Sequence, residues 1–408
     1  MKFGITIPDS WLPKALQSET RALKDFLKSD KKRVSVNLTR RRTYVADMKQ
    51  DELKHAIVAA REPQRPRRDL LYAIYEECLP DGHFTGEYEK AINKVVGSPF
   101  AVFKKGTDEI DEVATGLLQK DWFEDYRTHF EEAVFWGHSL VQFLELEDVI
   151  ADDHKQQFTK VELVPREHVR PEEGFVVFDT SWERGIPFRE EPFKSAFKFI
   201  EMGKSDSLGK LRIIAREYIW KNYSRTDWSS HSEKFGKPIV AIKTATRDSK
   251  ELDKLEQMAE NFGTNLWMIL DEEDNFELKE TTFKDAYNIY KEKVLMCNDE
   301  MSKAATWQTG TSDEKAFVGG AEVHERILDD YTEWRKRKQT YHVNDTLIPF
   351  LIKHGYPLKD RVFKYLTYQE ANPNQEKDEA DNNSKKGAGG DGSAKKHKPG
   401  ALFKYRIK

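Results

Sequence analysis

The chain has 408 residues, of which 38% are hydrophobic and 34% are charged, with a formal net charge of −4 and a mean hydropathy of −0.76. This composition predicts a large ratio of surface to core, and the near balance of charges argues against a sequence-specific DNA binder, which needs a positive field. Two cysteines exclude a disulfide framework, and because the sequence has no apolar run of about 18 residues we expect a soluble intracellular protein without signal peptide or membrane span.

The first part of the chain is predicted to be mostly helical. Residues 1–60 are polar with basic patches and predict an N-terminal arm with short helices. Apolar residues recur at helical spacing over residues 67–96, which predicts two amphipathic helices broken at the Pro-Asp-Gly sequence that begins at Pro80. A further helix is predicted over roughly residues 110–136.

Short β-rich runs follow between Ser139 and Ile200, separated by clusters of Pro, Gly and Asp, and predict a small antiparallel β region. Helical spacing returns at Leu208. It predicts a helix that ends at Gly236, just before Pro238, because glycine readily closes a helix and proline cannot continue one.

The next segment predicts a strand, a helix with one apolar face and a second strand. At under about fifty residues, this α/β module is too small to be a domain of its own. Its main apolar positions are Ile239, Val240, Leu252, Leu255, Met258, Phe262 and Trp267.

A long helix after this module carries a heptad seam. Its apolar residues alternate at spacings of four and three: Phe283, Tyr287, Tyr290, Val294, Cys297, Met301 and Ala304. Such spacing predicts close, nearly parallel packing against another helix, either the earlier helix of the same chain or one in a neighbouring copy. The alternative is an ordinary amphipathic core helix, because tyrosine and cysteine are poor residues for the seam of a free-standing coiled coil.

A polar loop then leads to a third long helix, predicted over about residues 321–351, and residues 372–408 are predicted to be disordered. Acidic residues at the start of the third helix favour an ion-pair face, because bases are interleaved with them. Tryptophans in the predicted elements are expected to pack in the core: Trp220, Trp228, Trp267, Trp307 and Trp334.

Motifs for catalysis are weak. A phosphate-binding loop needs a leading glycine, and Lys198 stands where it would precede Gly203. No two histidines have the spacing of a zinc hydrolase, and His138 lacks the second glycine of a nucleophile elbow. We therefore predict no catalytic residue, no metal and no cofactor.

Two stretches resemble the portal proteins of Mu-like bacteriophages and prophages. The first is an aromatic-rich helix with an Asp-Trp pair and a closing turn: Asp227, Trp228, Glu233, Phe235, Gly236 and Pro238. The second is a Gln-Thr-x-Thr loop before a helix with Val-His: Gln308, Thr309, Thr311, Val323 and His324. Residues 67–103 match more weakly, with Lys94 where arginine is more common. The resemblance runs in order over roughly residues 40–357.

The resemblance implies an α+β, mainly helical and elongated portal fold. A wing with a small β region precedes two stem helices that flank a small α/β clip, and a long spine helix follows. The parts map as arm 1–60, wing 61–205, first stem helix 206–236, clip 237–282, second stem helix 283–307, tunnel loop 308–320, spine helix and crown 321–357, and C-terminal tail 358–408.

The resemblance also implies a function. A phage portal protein is a head–tail connector, a ring of about twelve subunits at one capsid vertex that conducts DNA during packaging and ejection and is not an enzyme. The implied partners are further copies of the chain, double-stranded DNA without sequence specificity, the terminase large subunit, head-completion or adaptor proteins and the major capsid protein, with no membrane. The implied location is the portal vertex of the virion, with the host cytoplasm during assembly.

Three sets of candidate site residues follow from this mapping. The tunnel loop would touch DNA weakly, through Gln308, Thr309, Thr311, Asp313 and Lys315. The apolar clip residues named above would support docking of terminase and adaptors and contacts between subunits. The stem seam would pack through Tyr287, Tyr290, Val294 and Met301.

Two alternatives remain open. A magnesium-dependent enzyme of phage DNA metabolism would use Asp271, Glu272 and nearby carboxylates, because an apolar strand that ends in Asp-Glu resembles the magnesium-holding strand of ATPases. A monomeric adaptor or scaffold protein with a basic tail would not assemble beyond one or two chains.

Overall fold

The computed structural model describes residues 2–7, 34–39, 49–144, 158–181, 185–191, 193–235, 240–244, 248–261, 267–271, 283–309 and 318–367. The tail that the sequence predicts to be disordered lies outside these residues. The fold is α+β and mainly helical, as expected.

The helices are α1 (Gln50–Ala60), α2 (Asp69–Cys78), α3 (Gly82–Val96), α4 (Glu112–Leu118), α5 (Asp121–Trp136), α6 (Phe193–Phe197), α7 (Leu211–Phe235), α8 (Ser249–Asn261), α9 (Phe283–Thr306), α10 (Val318–His342) and α11 (Ile348–Lys353). A 3₁₀ turn at Arg166–His168 and a π-helical turn at Val343–Leu347 complete the described helical segments.

The strands are β1 (Lys2–Ile7), β2 (Val34–Thr39), β3 (Phe100–Lys104), β4 (His138–Leu144), β5 (Lys160–Leu163), β6 (Val169–Arg170), β7 (Phe175–Val176), β8 (Ile186–Pro187), β9 (Phe199–Gly203), β10 (Val240–Thr244), β11 (Trp267–Asp271) and β12 (Arg361–Tyr365). They form small sheets in the orders β1-β2, β10-β11, β12-β3, β5-β4-β9 and β6-β7-β8. All pairs are antiparallel except β10 with β11, which is parallel.

The expectation of short helices in residues 1–60 is wrong for its first two described segments, which are strands. Apolar residues alternate with polar ones along both strands, and the register pairs Phe3 with Leu38 and Ile5 with Val36. A period of two is typical of a strand, whereas the expectation rested on polarity alone. Helix α1 is the one expected helix in the described part of this segment, and its Leu53 is buried in the main core.

The single helix expected over residues 110–136 is two helices. Asp111 caps α4 by accepting a hydrogen bond from the backbone N–H of Ala114 at 3.0 Å, and Lys120 takes an extended conformation before α5. This break allows Leu118, at the end of α4, and Trp122, at the start of α5, to enter the same core.

The long helix predicted over residues 321–351 begins earlier, at Val318, and changes character near its end. The α-helical bonding stops at His342, continues as the π-helical turn and resumes as α11, where Pro349 lies in the first turn. Proline has no backbone N–H to donate, so a regular α-helix cannot pass through this position.

Two large cores share helix α5. One cluster packs α1, α2, α3 and the starting half of α7 around Phe135 and Trp136. The other packs the first part of α5 against β4, β12 and α11. Strand β4 alternates its side chains, so that Val141 faces the second core and Leu140 faces a smaller cluster under β6, β7 and β8.

Glycines join the β region to helix α7. Gly137 ends α5 at φ 90°, and Gly209 precedes α7 at φ 71°. A β-carbon on Gly209 would lie 2.0 Å from the carbonyl oxygen of Phe135, and one on Gly137 would lie 2.2 Å from that of Ser207. Only glycine allows these two backbones to approach so closely, and this approach sets the position of α7.

Candidate functional site

Helices α7 and α9 form an antiparallel pair. The Nζ of Lys210, just before α7, donates a hydrogen bond of 2.9 Å to the carbonyl oxygen of Ala305 at the end of α9. At the other end, the rings of His231 and Tyr290 lie 5.9 Å apart. The two helices flank the segment that contains β10, α8 and β11.

The predicted seam residues differ in burial along α9. Met301 is fully buried in the main core, and Val294 and Tyr290 are half-buried. Tyr287 is in the helix, but its side chain lies outside the described part. Both α7 and α3 pack against α9 within this chain.

Polar groups line much of the interface between α3, α7 and α9. Asp81 caps α3 by accepting from the backbone N–H of Phe84 at 3.0 Å, and it also pairs with Lys221 of α7 at 2.6 Å. His83 Nε2 lies 2.7 Å from Ser302 Oγ on α9. Desolvation offsets much of the attraction in a buried ion pair. The pair of Asp81 with Lys221 therefore fixes the alignment of α3 and α7 more than it stabilises them.

A second buried charged group connects the paired helices to α5 and α10. Arg335 of α10 pairs with Glu131 of α5 at 2.8 Å, and Gln339 donates to the same carboxylate at 3.0 Å. Burial raises the pKa of Glu131 in spite of the guanidinium beside it. Burial, together with Arg335, lowers the pKa of Lys210 to about 7.

These buried charges are not among the residues predicted from the sequence. Glu131 lies four residues before Phe135, and Arg335 lies four residues after Tyr331, so both occupy positions on the apolar stripes of their helices. A charged residue at core spacing is the signal that finds such a pair, because an unpaired charge is almost never buried.

The loop after α9 begins at an aromatic cluster. Trp307 has φ 66°, and its ring lies 5.0 Å from that of Tyr331 and 5.4 Å from that of Trp334. Trp307 is 48% exposed and Trp334 is 36% exposed, which corrects the expectation that both pack in the core. Their rings cover one another on the surface of α10, and this contact gives them partial burial without a core position.

The structure describes only the first two predicted loop residues. Gln308 is buried, and its side-chain amide lies 3.4 Å from the hydroxyl of Thr306. Thr309 is half-buried. Thr311, Asp313 and Lys315 lie outside the described residues.

The α/β module has the elements that the sequence predicts. Val240 and Trp267 are register partners in the parallel pair β10–β11, and Leu252 and Leu255 are half-buried on α8. Met258 lies in α8. The side chains of Val240, Met258 and Trp267 lie outside the described part, and Ile239 and Phe262 lie wholly outside the described residues. The two strands and the helix of the module are therefore in place, while the contacts among its apolar side chains lie outside the described part.

The carboxylates of the enzymatic alternative are not brought into a described cluster. Asp271 ends β11, and Glu272 lies outside the described residues. Among the described residues, no group of three or more His, Cys, Asp and Glu side chains is placed to hold a metal ion. Of the acidic residues on α10, Asp329 pairs with Lys94 of α3 at 2.6 Å.

The family model for the portal protein of Mu bacteriophage matches residues 72–388, which covers α7, the α/β module, α9 and α10. The chain belongs to this portal family. Among solved structures, the chain is similar to an HK97 family phage portal protein from Corynebacterium diphtheriae, with 10% identity, coverage of 71% of this chain and 94% of that chain, and a TM-score of 0.40. A comparison with curated protein sequences finds no match.

Membership of the portal family gives the function: the protein is a phage portal, the head–tail connector of the virion. Portal proteins form rings at a capsid vertex and associate with DNA. None of the helices that the structure describes is both long and apolar enough to cross a membrane.

Proposed function

We propose that the chain builds a ring of about twelve subunits in which α7 and α9 are the stem helices, residues 237–282 are the clip, residues 308–320 are the tunnel loop, and α10 is the spine helix. The observation that carries this proposal is the antiparallel pairing of α7 with α9 on either side of the α/β module. The remaining parts of the proposed subunit are the arm 1–60, the wing 61–205, the crown end of 321–357 and the tail 358–408.

In this arrangement the protein has a structural role and catalyses no reaction. Duplex DNA slides through the ring, so contacts with its phosphates must be weak, because every phosphate neutralised by a cation adds salt-dependent affinity. The formal charge of −4 per chain meets this requirement. The loop residues Thr309, Thr311, Asp313 and Lys315 carry one base against one acid, so they touch DNA without holding it. Gln308, which the sequence also suggested for this contact, is buried and supports the start of the loop instead.

We further propose that the clip docks the terminase large subunit during packaging and head-completion or adaptor proteins afterwards. The major capsid protein surrounds the ring, and assembly takes place in the host cytoplasm. Helix α8 supports this role because it is largely exposed. Between two short strands it presents Glu251, Asp253 and Glu256 to solvent, and these acidic residues outnumber the exposed Lys250 and Lys254. A partner with a basic surface fits this helix.

The docking proposal is tested with the double variant Glu251→Lys and Glu256→Lys. We expect at least tenfold weaker binding of the terminase large subunit to the assembled ring, measured by surface-immobilised binding at constant salt. The matched control is Glu124→Lys with Asp125→Lys on α5, which reverses two exposed charges outside the clip and should leave binding unchanged. Equal binding by both variants would contradict docking through α8.

A further inference from the structure

Each helix of the α7–α9 pair has a second apolar stripe that faces solvent. On α7 the stripe consists of Ile213, Trp220 and Tyr223, with Ile213 39% exposed, Tyr223 42% exposed and Trp220 half-buried. On α9 it consists of Ile289, 65% exposed, and Met296, 51% exposed. Spacings of seven and three residues place the members of each stripe on one helix face. We call these the α7 stripe and the α9 stripe.

The α9 stripe is distinct from the heptad seam. The seam runs through Tyr290, Val294 and Met301 and is increasingly buried towards the end of the helix, whereas Ile289 and Met296 each lie beside a seam residue and are exposed. The buried part of the seam, at Cys297 and Met301, is used within the chain and cannot join one subunit to the next. The exposed stripes are available for that contact.

We propose that the α7 stripe of one subunit packs against the α9 stripe of the next copy of the chain. This inference rests on the ring proposed above. Closure of a ring requires two different patches on every subunit, a heterologous interface, and the two stripes lie on two different helices. An apolar patch that met its own copy would instead give a twofold dimer.

The heights of the two stripes along the helix pair also match. Tyr223 and Trp220 lie between Glu217 and His231 on α7, and Met296 lies between Cys297 and Tyr290 on α9. Glu217 interacts with Cys297, and His231 lies against Tyr290, so the stripes overlap along the antiparallel pair. Rotation about a ring axis leaves height along that axis unchanged, so two patches on helices that run along the axis can meet in neighbouring subunits only if they overlap in this way.

Charged side chains lie beside both stripes. The guanidinium of Arg216 lies 5.5 Å from the ring of Trp220, and its side chain is about half exposed. On α9, Glu292 is exposed one turn before Met296. Lys293 is exposed beside Glu292, and Arg216 already pairs with Glu217 of its own helix at 2.9 Å. The preference for the α7-to-α9 contact therefore comes from the two-patch geometry of a ring and not from charge.

The test is disulfide cross-linking of the full-length double variant Tyr223→Cys, Met296→Cys. The native cysteines Cys78 and Cys297 are both buried, so the unmodified chain sets the background. We expect oxidation of the double variant to give a ladder of covalent oligomers up to the complete ring on a non-reducing denaturing gel. The single variants alone should give no cross-link above background, and a mixture of the two should give dimers.

Three outcomes overturn the proposal. A double variant that forms rings by native mass but gives no ladder places the interface elsewhere, and it leaves the portal function intact. Covalent dimers from Tyr223→Cys alone show that the stripe meets itself. If the unmodified chain forms no ring, the proposed ring fails together with the stripes.

A second variant tests the same contact without cross-linking. Ile289→Asp with Met296→Asp alters only exposed side chains, so the helices should fold, as checked by circular dichroism, while rings give way to monomers in native mass measurements. The control is Val58→Asp, which is 69% exposed on α1 and should retain the ring. Rings of the aspartate double variant with unchanged stability would contradict the proposal.

Discussion

Individual residues at the start of α7 determine how the β region and the paired helices meet. Gly209 allows two backbones to approach, and Lys210 reaches from the same turn to the last turn of α9. Lys210 also lies over the ring of Tyr331 at 4.7 Å from its centroid, so one side chain contacts both α9 and α10. Changes at these two positions should therefore affect more than local structure.

Gly209→Ala should lower the free energy of unfolding by about 3 kcal/mol or more, because a β-carbon there meets the carbonyl oxygen of Phe135 and the residue needs a positive φ. The control is Gly116→Ala within α4, where a β-carbon meets nothing within 4 Å, and this change should stabilise by up to about 1 kcal/mol. Urea denaturation of both variants measures the difference. Equal stability would show that the glycine junction is not restrictive.

Lys210→Met should change how stability depends on pH. Burial lowers the pKa of Lys210 to about 7, so between pH 7 and its unfolded pKa of about 10.4 the unfolded chain binds a proton that the folded chain does not. The free energy of unfolding therefore rises with pH over that range, and it falls as pH falls towards 7, because folding removes the proton from the amine and this removal costs more at lower pH. The native chain should gain stability relative to the variant from pH 7 to 9 in urea denaturation, and parallel curves would contradict the buried state of the amine.

At the scale of elements, α9 has two apolar surfaces with different roles. Met301→Ala should lower the free energy of unfolding of the isolated subunit by about 3 kcal/mol, because a fully buried thioether leaves a cavity. Met296→Ala, on the same helix but 51% exposed, should change it by less than about 0.5 kcal/mol. Denaturation at a concentration where subunits are separate measures both, and equal losses would contradict the separation of seam and stripe.

The sequence alone was sufficient for elements with a clear period. The α2–α3 break, α7, α8 with its two strands and α9 all lie where the apolar spacing predicts them. Strands β1 and β2 were missed because a period of two was hidden in a polar segment. A charged residue at core spacing, such as Glu131 or Arg335, signals a buried pair, but the two partners lie 204 positions apart and no local pattern tells which residue pairs with which.

Neither the exposure of the stripes nor that of Trp307 could be predicted from spacing. Helical periodicity shows that apolar residues share a face, but it does not show whether a second element covers that face. Trp307 has helical neighbours on one side and the loop on the other, and its exposure depends on the approach of α10, which is distant in sequence.

For the whole molecule, the physical requirement is a subunit that associates firmly with copies of itself and weakly with DNA. The exposed apolar stripes serve the first need, because burial of apolar surface is the main favourable contribution to association. The near balance of 67 basic and 71 acidic residues serves the second. A low apolar fraction of 38% is consistent with a chain that completes its packing only in the assembly.

The most direct test of this account is the mass and shape of the assembled full-length protein, obtained by native mass spectrometry and electron microscopy of the same sample. We expect one closed ring of about twelve chains with a central hole that admits duplex DNA. Monomers or dimers at every concentration, with no axial symmetry in solution or in phage particles, would contradict it.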